Sequence, residues 1–274
     1  LESPRMATGT AGHLRGRVLV VEDQPLNREV AVGMLSSLGL QVDTAENGRR
    51  ALDKLQVERY DAVLMDCEMP VMDGFEATRE LRRREPLGTH LPVFALTADA
   101  TRSGREACLA AGMDEFLSKP FRRETLRALL NTWLAKSVKS APAPAMESAG
   151  KPVEEAGPLL DGATLAALRA LPRSGANNML SHVTDLYLQD SPAQVSAIEQ
   201  ALERGDAAAL ARTAHAWRSC NGNIGAHGLA QLCREVEESA RQGDLLKAER
   251  AFDEVRPLYE RVCEALQREL RRSA

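Results

Sequence analysis

The sequence predicts an α/β domain built on a five-stranded parallel sheet, followed by a linker and an all-α bundle. Short apolar runs alternate with helical patterns between residues 17 and 135, and the connections are short. Five consecutive βα units of this kind form a doubly wound parallel sheet, with helices on both faces. Beyond Leu159 the strand patterns stop, and long helical patterns broken at glycines predict an antiparallel bundle.

Each predicted strand is a short apolar run that ends at polar or turn-forming residues. The predicted strands are Arg17–Val21, Gln41–Ala45, Ala62–Asp66, Pro92–Leu96 and Glu115–Leu117. The predicted helices between and after them are Pro25–Leu38, Gly48–Val57, Gly74–Arg84, Arg102–Ala111 and Arg122–Leu134. Gly39 and Gly112 stand where the first and fourth of these helices should stop.

The domain boundaries follow from changes in composition. We expect a disordered lead-in at 1–15, the α/β domain at 16–136, a flexible proline-containing linker at 137–157 and the bundle at 158–272. Helical patterns in the bundle are Asp161–Ala170, Asn178–Glu203, Asp206–Ile224, Ala226–Arg241 and Asp244–Leu270. Asp161, Asp206 and Asp244 are the expected N-caps, and Pro192 should kink or partly break its helix.

Composition excludes several classes of function. A formal net charge of -4 over 274 residues gives no reason to expect binding to nucleic acid or to an anionic membrane. The five cysteines are widely spaced without a metal-binding pattern, which favours a reduced cytosolic compartment. No apolar stretch is long enough to span a bilayer, so we expect no membrane contact by this segment. The chain begins with Leu1, and we expect it to be a piece of a longer protein.

Polar groups follow several strand ends of the α/β domain. Glu22 and Asp23 come after the first strand, Asp66 ends the third, Thr97 ends the fourth, and Lys119 follows the fifth. In a sheet of order 2-1-3-4-5 these ends converge on one crevice at the topological switch point. Clustered carboxylates repel one another unless a cation neutralises them, and an all-oxygen site suits Mg²⁺.

Such a crevice would support phosphoryl transfer. Asp66 offers an ionised carboxylate nucleophile, Lys119 and the metal would neutralise phosphoryl oxygens, and the Thr97 hydroxyl would donate to one of them. Each residue taken singly has an ordinary alternative, such as a turn cap, a strand threonine or a solvated lysine. Their joint occurrence at separate strand ends favours a functional site.

Four motifs carry a family resemblance. They are Val20-Val21-Glu22-Asp23, the segment from Leu64 to Gly74 (LMDCEMPVMDG), Ala95-Leu96-Thr97-Ala98 and Leu117-Ser118-Lys119-Pro120-Phe121. With this order and spacing, residues 17–135 resemble the receiver domain of two-component signalling proteins, which has a flavodoxin-like fold.

The resemblance implies roles for individual residues. Asp66 would be the phosphoacceptor, and Glu22, Asp23, Asp66 and the backbone carbonyl of Glu68 would organise Mg²⁺. Thr97 would reorient toward the phosphoryl group. Phe116 matches the switch aromatic of the family, although a plain core role is equally compatible with the sequence. The side chains of Glu68 and Asp99 fall where the family tunes dephosphorylation.

One histidine of the bundle stands out by its surroundings. Helical periodicity places Leu210, Ala214, Trp217, Asn221 and Ile224 on the core side, and therefore predicts that His215 faces solvent. Its neighbours on that side are small: Ala208, Ala211, Ser219 and Gly222. Arg218 could balance charge on a phosphorylated ring. The alternative is an ordinary solvated histidine. His182 and His227 lack such surroundings, and we interpret them as structural or surface residues.

The segment around His215 resembles a histidine phosphotransfer domain, a helical bundle whose usual pattern is His-x-Leu-Lys-Gly with a further glycine ten residues after the histidine. Here Trp217 replaces the leucine, Arg218 the lysine and Ser219 the first glycine, while Gly225 matches the later glycine. The resemblance implies a phosphorylatable His215 surrounded by Arg218, Ser219 and Gly222. The hydroxymethyl group of Ser219 on the docking face is expected to slow transfer or to alter partner choice.

Together these features predict a phosphorelay segment, with Mg²⁺-dependent transfer between a histidine and Asp66. Expected partners are a histidine kinase, a second receiver domain, or both, and intramolecular docking of the two domains. No ATP-binding pattern is visible, so we assign no enzyme class and expect the phosphoryl source elsewhere, as in a hybrid sensor histidine kinase anchored in the inner membrane. The alternatives are a phosphorylation-independent docking adaptor and an aspartate-nucleophile, metal-dependent phosphatase.

Overall fold

The computed structural model describes residues 14–98, 101–134, 158–172 and 178–273. Nearly all of the predicted lead-in, the whole predicted linker and Asp99 lie outside these described residues. In the described part, no helix is both long enough and apolar enough to cross a membrane.

The first domain is a parallel five-stranded sheet with the order β2-β1-β3-β4-β5, which confirms the predicted topology. The strands are β1 (Arg17–Val21), β2 (Gln41–Ala45), β3 (Ala62–Asp66), β4 (Val93–Thr97) and β5 (Glu115–Ser118). The helices are α1 (Pro25–Ser37), α2 (Gly48–Val57), α3 (Gly74–Arg84), α4 (Arg102–Ala110) and α5 (Arg123–Leu134). Separate apolar clusters fill the two faces of the sheet, so its central strands are buried on both sides.

The second domain is all-helical, as predicted. Its helices are α6 (Gly162–Ala170), α7 (Met179–Arg204), α8 (Ala207–Asn223), α9 (His227–Arg241) and α10 (Leu245–Ser273). The Asp161 carboxylate accepts from the amides of Ala163 and Thr164, and the Asp206 carboxylate accepts from the amide of Ala209. These carboxylates satisfy amide groups that have no partner inside the helix, which explains where α6 and α8 begin.

One strand boundary differs from its prediction: the fourth strand is Val93–Thr97 rather than Pro92–Leu96, and Thr97 ends it as predicted. Pro192 lies inside α7, and the helix runs on past it to Arg204, so the helix is not broken there, while a kink stays a prediction. A proline removes one helical hydrogen bond. Helix α7 is anchored on both sides of that position, because Tyr187 and Ile198 are buried in the bundle core, and this packing outweighs the lost bond.

The two domains are packed against each other through α1 of the sheet domain and α7 and α8 of the bundle. Leu26 and Val30 of α1 are buried in the same apolar cluster as the core of the bundle. The backbone of α1 comes so close to α7 that a Cβ atom on Gly33 would lie 2.6 Å from the Met179 Cε atom. We call this α1–α7–α8 contact the domain interface.

Polar contacts extend the domain interface toward the carboxyl ends of the strands. The side-chain amide of Asn223 donates to the Asn27 side-chain oxygen at 2.8 Å. Arg241 of α9 lies 2.9 Å from the carboxylate of Glu68. His182, predicted as a structural or surface residue, lies in the domain interface with Nε2 3.5 Å from a Glu29 oxygen. The bundle therefore lies over the edge of the sheet where the acidic residues were predicted to meet.

Candidate functional site

An acidic pocket forms where β1 and β3 end. The parallel register pairs Val21 with Met65, so the next residues along the two chains, Glu22 and Asp66, lie side by side at the same edge of the sheet. Carboxylate oxygens of Glu22, Asp23 and Asp66 all lie within 4.8 Å of one another. Glu22 and Asp66 are buried and Asp23 is half-buried. The structure thus brings together the carboxylates that were predicted from the strand ends.

Lys119 supplies the positive charge of the acidic pocket. Its ammonium group lies 2.8 Å from Asp66 Oδ2 and 2.5 Å from Glu22 Oε2, and its side chain is buried. The backbone amide of Lys119 donates to the Thr97 carbonyl oxygen at 2.7 Å, which fixes the chain just after β5 beside the end of β4. Thr97 is also buried, so four neighbouring strands contribute to one enclosed site.

The charges in the pocket do not balance. Burial and then the neighbouring Glu22 carboxylate raise the pKa of Asp66 well above its ordinary value, although Lys119 opposes the shift. Burial and Glu22 also raise the pKa of Asp23. Burial lowers the pKa of Lys119, but Asp66 and Glu22 outweigh it and the net shift is upward. One ammonium faces three carboxylates, so the donor set fits a divalent cation with a preference for oxygen ligands, such as Mg²⁺.

The loop after β3 shapes the mouth of the pocket. A Cβ atom on Gly74 would come within 2.1 Å of the Asp66 carbonyl oxygen, so only glycine fits where the loop turns back on the strand. Val71 adopts a φ of 72°, a strained conformation for a β-branched residue that is found most often near functional sites. The amide of Glu68 points toward Asp66 Oδ1 at 3.4 Å, which holds the start of this loop close to the carboxylate.

Phe116, the predicted switch aromatic, lies in β5 and is half-buried. The Arg105 guanidinium of α4 lies over its ring, 5.4 Å from the ring centroid. A cation over an aromatic face is an attractive contact, so Phe116 links β5 to α4 on one side of the sheet. Its role as a switch stays a prediction.

The prediction that His215 faces solvent is wrong, because only 7 % of this residue is exposed. The core face of α8 was assigned correctly, since Leu210, Ala214 and Trp217 are almost completely buried. The opposite face is covered as well. Glu237 of α9 lies beside the imidazole, and Glu68 of the sheet domain lies 3.6 Å from Nδ1. Helical periodicity identifies the face of a residue but not what packs on it.

Glu237 orients the imidazole and was missed by sequence reasoning. Its Oε1 atom lies 2.8 Å from His215 Nδ1, and only 1 % of its side chain is exposed. This hydrogen bond places the ring proton on Nδ1 and leaves the Nε2 lone pair available as a nucleophile. The signal was present in the sequence: Glu237 follows Cys233 and Val236 on the apolar face of α9, where an unpaired carboxylate would be costly.

Two arginines keep Glu237 ionised. Arg218 Nη1 lies 3.0 Å from its Oε2 atom, and Arg241 Nη2 lies 3.0 Å from its Oε1 atom. Burial opposes ionisation, but the hydrogen bond from His215 and the charges of both arginines outweigh it, so the pKa of Glu237 is lowered. Ligand atoms of Glu68, His215 and Glu237 also lie within 4.8 Å of one another. Unlike the acidic pocket, this cluster already has its cations, so it does not call for a metal.

The other predicted neighbours of His215 lie on the covered face of α8. A Cβ atom on Gly222 would lie 3.2 Å from Pro120 Cγ, so glycine permits close approach of the residue next to Lys119. Ser219 is buried, and among the described residues its hydroxyl has no hydrogen-bond partner. The Arg218 guanidinium pairs with Glu237, which is the carboxylate that contacts His215. Arg218 therefore places its positive charge at the histidine site through Glu237.

Comparison with known families agrees with this geometry. Residues 18–131 match the response regulator receiver domain, and residues 182–270 match the Hpt domain. The chain contains a receiver domain joined to an Hpt domain. These are modules of phosphorelay signal transduction, and this is the function of the pair. We now refer to the sheet domain as the receiver domain and to the bundle as the Hpt domain.

Curated relatives include sensor kinases from several kingdoms. The sensor histidine kinase GacS of Pseudomonas protegens is 32% identical over 245 residues, which cover 87% of this chain and 26% of the relative. The sensor histidine kinase RcsC of Escherichia coli K12 is 40% identical over 123 residues, covering 45% of this chain and 13% of the relative. A probable histidine kinase 4 of Oryza sativa is 38% identical over 150 residues, 47% of this chain and 15% of the relative. The chain thus spans about a quarter or less of these proteins.

Among solved structures, the receiver domain of the sensor histidine kinase PA1611 from Pseudomonas aeruginosa is 45% identical to this chain. The match covers 44% of this chain and 99% of that domain, with a TM-score of 0.42. That structure is described as having a magnesium ion coordinated in its active-site cleft.

The excess negative charge of the acidic pocket predicts how stability depends on pH. Because the folded-state pKa of Asp66 is raised, the contribution of Asp66 to the stability of the metal-free protein is fully present below the unfolded-state pKa of about 3.9 and is lost as the pH rises through the raised value. We expect Asp66→Asn to melt at a higher temperature than the wild type at pH 8 without metal. The difference should shrink toward pH 4, and thermal denaturation followed by circular dichroism measures it.

The matched control is Asp53→Asn, which changes an exposed carboxylate on α2 and should have little effect at either pH. Adding Mg²⁺ should stabilise the wild type more than Asp66→Asn, because the variant lacks one of the anionic ligands. A lower melting temperature for Asp66→Asn at pH 8 would contradict the charge imbalance.

The contact between Glu237 and His215 predicts a graded effect on histidine phosphorylation. Glu237→Gln keeps an acceptor for the Nδ1 proton, whereas Glu237→Leu removes it. We expect His215 phosphorylation to slow about tenfold or more in Glu237→Leu and less in Glu237→Gln, as for other histidines oriented by a carboxylate. The rate of His215 phosphorylation is measured as the appearance of label that is labile in acid and stable in base. The ¹⁵N chemical shifts of the imidazole report which ring nitrogen carries the proton. Glu235→Gln, at an exposed position on α9, is the control; equal rates in all four proteins would refute the orienting role.

Proposed function

We propose that Asp66 of the receiver domain and His215 of the Hpt domain exchange a phosphoryl group within the same chain. The observation that carries this proposal is the domain interface, which lays α8 across the acidic pocket. Asn223 of α8 bonds to Asn27, and Asn27 in turn donates to Glu22 at 3.1 Å. At the other side of the pocket, the Glu68 carboxylate reaches His215.

The transfer needs no further base. In the direction from histidine to aspartate, an ionised Asp66 oxygen attacks the phosphorus, the new P–O bond forms and the P–N bond to Nε2 breaks. The bonding electron pair returns to Nε2, and the proton already held on Nδ1 makes the departing imidazole neutral. The Glu237 carboxylate supports the positive character of the ring while it is phosphorylated. Lys119 stands beside Asp66 to neutralise charge on the transferred group.

Glu22, Asp23 and Asp66 are the side chains that would hold Mg²⁺, together with the carbonyl of Glu68. Bound there, the ion would neutralise phosphoryl oxygens as they gain charge. The excess of carboxylates over ammonium groups in the pocket supports this assignment. We extend the same proposal to Thr97, which would donate its hydroxyl to the phosphoryl group from the end of β4, and to Phe116 as the aromatic that responds to it.

Partners outside the chain are part of the proposal. The chain spans a minor part of its histidine-kinase relatives, so the phosphoryl group would come from a kinase region or from a separate histidine kinase. A second receiver domain would be the other partner, because it could occupy the same face of α8 when the first receiver domain has left. Tethering favours the domain of the same chain through a high effective concentration.

The test compares exchange within one chain and between chains. The full chain is loaded with radiolabelled acetyl phosphate and Mg²⁺, and label on His215 is separated from label on Asp66 by its stability in base. We expect label to reach His215 at a rate that does not depend on protein concentration. A mixture of Asp66→Asn and His215→Gln chains can transfer only between molecules, so it should be slower and should depend on concentration.

Two results would overturn the proposal. Label that never reaches His215 in the wild type would leave the adaptor as the better explanation, provided that signalling output persists in the Asp66→Asn and His215→Gln variants. Equal, concentration-dependent rates in the wild type and the mixture would mean that the two residues serve partners in other molecules. Release of phosphate from small esters would be needed to revive the phosphatase alternative, which the receiver-family match disfavours.

The substitution Gly222→Ala is expected to raise the stability of the protein and to slow phosphoryl transfer. Replacing a helical glycine by alanine typically stabilises a helix by about 0.5–1 kcal/mol. At this position the new methyl group would lie 3.2 Å from Pro120 Cγ, so Pro120 and α8 would have to move apart by a few tenths of an ångström. We therefore expect Gly222→Ala to unfold at higher denaturant concentration yet to exchange phosphate several-fold more slowly. The control is Gly228→Ala, whose methyl group would have its nearest contact at 3.7 Å and should not slow exchange.

A further inference from the structure

An ion pair crosses from α9 of the Hpt domain to the loop that follows β3. Nη2 of Arg241 lies 2.9 Å from one Glu68 oxygen and 3.1 Å from the other, which is close enough for hydrogen bonds to both. The same nitrogen lies 3.0 Å from Glu237 Oε1. Arg241 therefore bridges a carboxylate of the receiver domain and the carboxylate that orients His215.

The position of Glu68 makes this ion pair informative about docking. Glu68 stands two residues after Asp66, and its backbone amide points toward the Asp66 carboxylate. Its own carboxylate lies 3.6 Å from His215 Nδ1. An acidic side chain at this position can meet Arg241 only when the phosphoacceptor and the histidine are brought together. A neutral or basic side chain there would leave Arg241 without its receiver-side partner or would repel it.

We propose that Arg241 is a specificity determinant by which this Hpt domain selects receiver domains that carry a carboxylate two residues after the phosphoacceptor aspartate. This inference rests on the proposed exchange between Asp66 and His215, and it adds the feature by which a receiver domain is recognised. The partner class is thus defined by charge at one loop position. Receiver domains with lysine or arginine there are disfavoured.

Apolar contacts and the Arg241–Glu68 ion pair contribute differently to the domain interface, and this difference supports the role. The apolar contacts of Leu26 and Val30 supply area that many receiver domains could offer, and such contacts carry little information about the partner. Side chains of Arg241 and Glu68 are 48% and 40% exposed, so the pair forms and separates at the rim without a large desolvation cost. Charged pairs at a rim act mainly on partner choice and association rate.

A double-mutant cycle in the full chain tests the pair. Label is introduced with acetyl phosphate and Mg²⁺, and the rate of its appearance on His215 is measured for Glu68→Gln, Arg241→Gln and the double variant. We expect each single variant to exchange about fivefold more slowly, the upper range for a partly exposed ion pair. The double variant should be no slower than either single variant, because the lost contact is the same. Arg234→Gln is the control, since Arg234 on the same helix pairs with Glu238.

A selectivity measurement separates recognition from a general effect on chemistry. His215 is supplied by an Asp66→Asn chain, and the labelled phosphoacceptor by a His215→Gln chain with or without Glu68→Lys. We expect the His215-supplying chain with wild-type Arg241 to accept label about tenfold faster from the receiver domain with Glu68 than from the one with Glu68→Lys. The ratio of these two rates should fall close to one when the His215-supplying chain carries Arg241→Gln. Each receiver-side chain is normalised to its own labelled fraction and its own rate of dephosphorylation.

Two outcomes would overturn the inference: multiplicative losses in the double variant, or a preference for Glu68 that survives Arg241→Gln. Either would leave the exchange between Asp66 and His215 intact, since wild-type transfer is measured in the same experiment. Absence of any transfer in the wild type would instead refute the proposed function. The two failures are therefore distinguishable.

Discussion

The contact on which the rest of the site depends is the buried ammonium of Lys119 between Asp66 and Glu22. Two neighbouring carboxylates in a closed pocket would otherwise drive each other toward the neutral form. The ammonium opposes that shift at Asp66 without cancelling it, so the pocket keeps an excess of carboxylates over cations that suits a divalent ion. In the proposed function, the same excess of negative charge serves both the metal and the phosphoryl transfer.

The histidine site differs from the acidic pocket, because its buried carboxylate is already paired with positively charged side chains. Glu237 is a buried carboxylate surrounded by Arg218, Arg241 and His215, so its charge is fully compensated within the protein. Removing one partner from a buried charge pair of this kind leaves an uncompensated charge, which is costly, so the arrangement depends on all of its members. The result is an imidazole that is held by Glu237 and lies beside Glu68 of the receiver domain, two residues from Asp66.

Much of the receiver domain could be predicted from sequence, because a parallel sheet forces residues at strand ends to one edge. The convergence of Glu22, Asp23, Asp66 and Lys119 follows from that geometry alone. The histidine side was harder. Periodicity assigned the two faces of α8, but it carries no information about the receiver domain packing on the second face. Glu237 and Arg241 come from another helix, and only tertiary structure joins them to His215 and Glu68. Asp99 and the linker lie outside the described residues.

The burial of His215 has a consequence for the proposed transfer of a phosphoryl group to other proteins. In the proposed exchange the imidazole is the point of transfer, yet His215 is buried with Glu68 of the receiver domain beside it. Under that proposal, a second acceptor reaches the imidazole only after α1 has separated from α7 and α8. Separation of the two domains then becomes a required step before the signal can leave the chain.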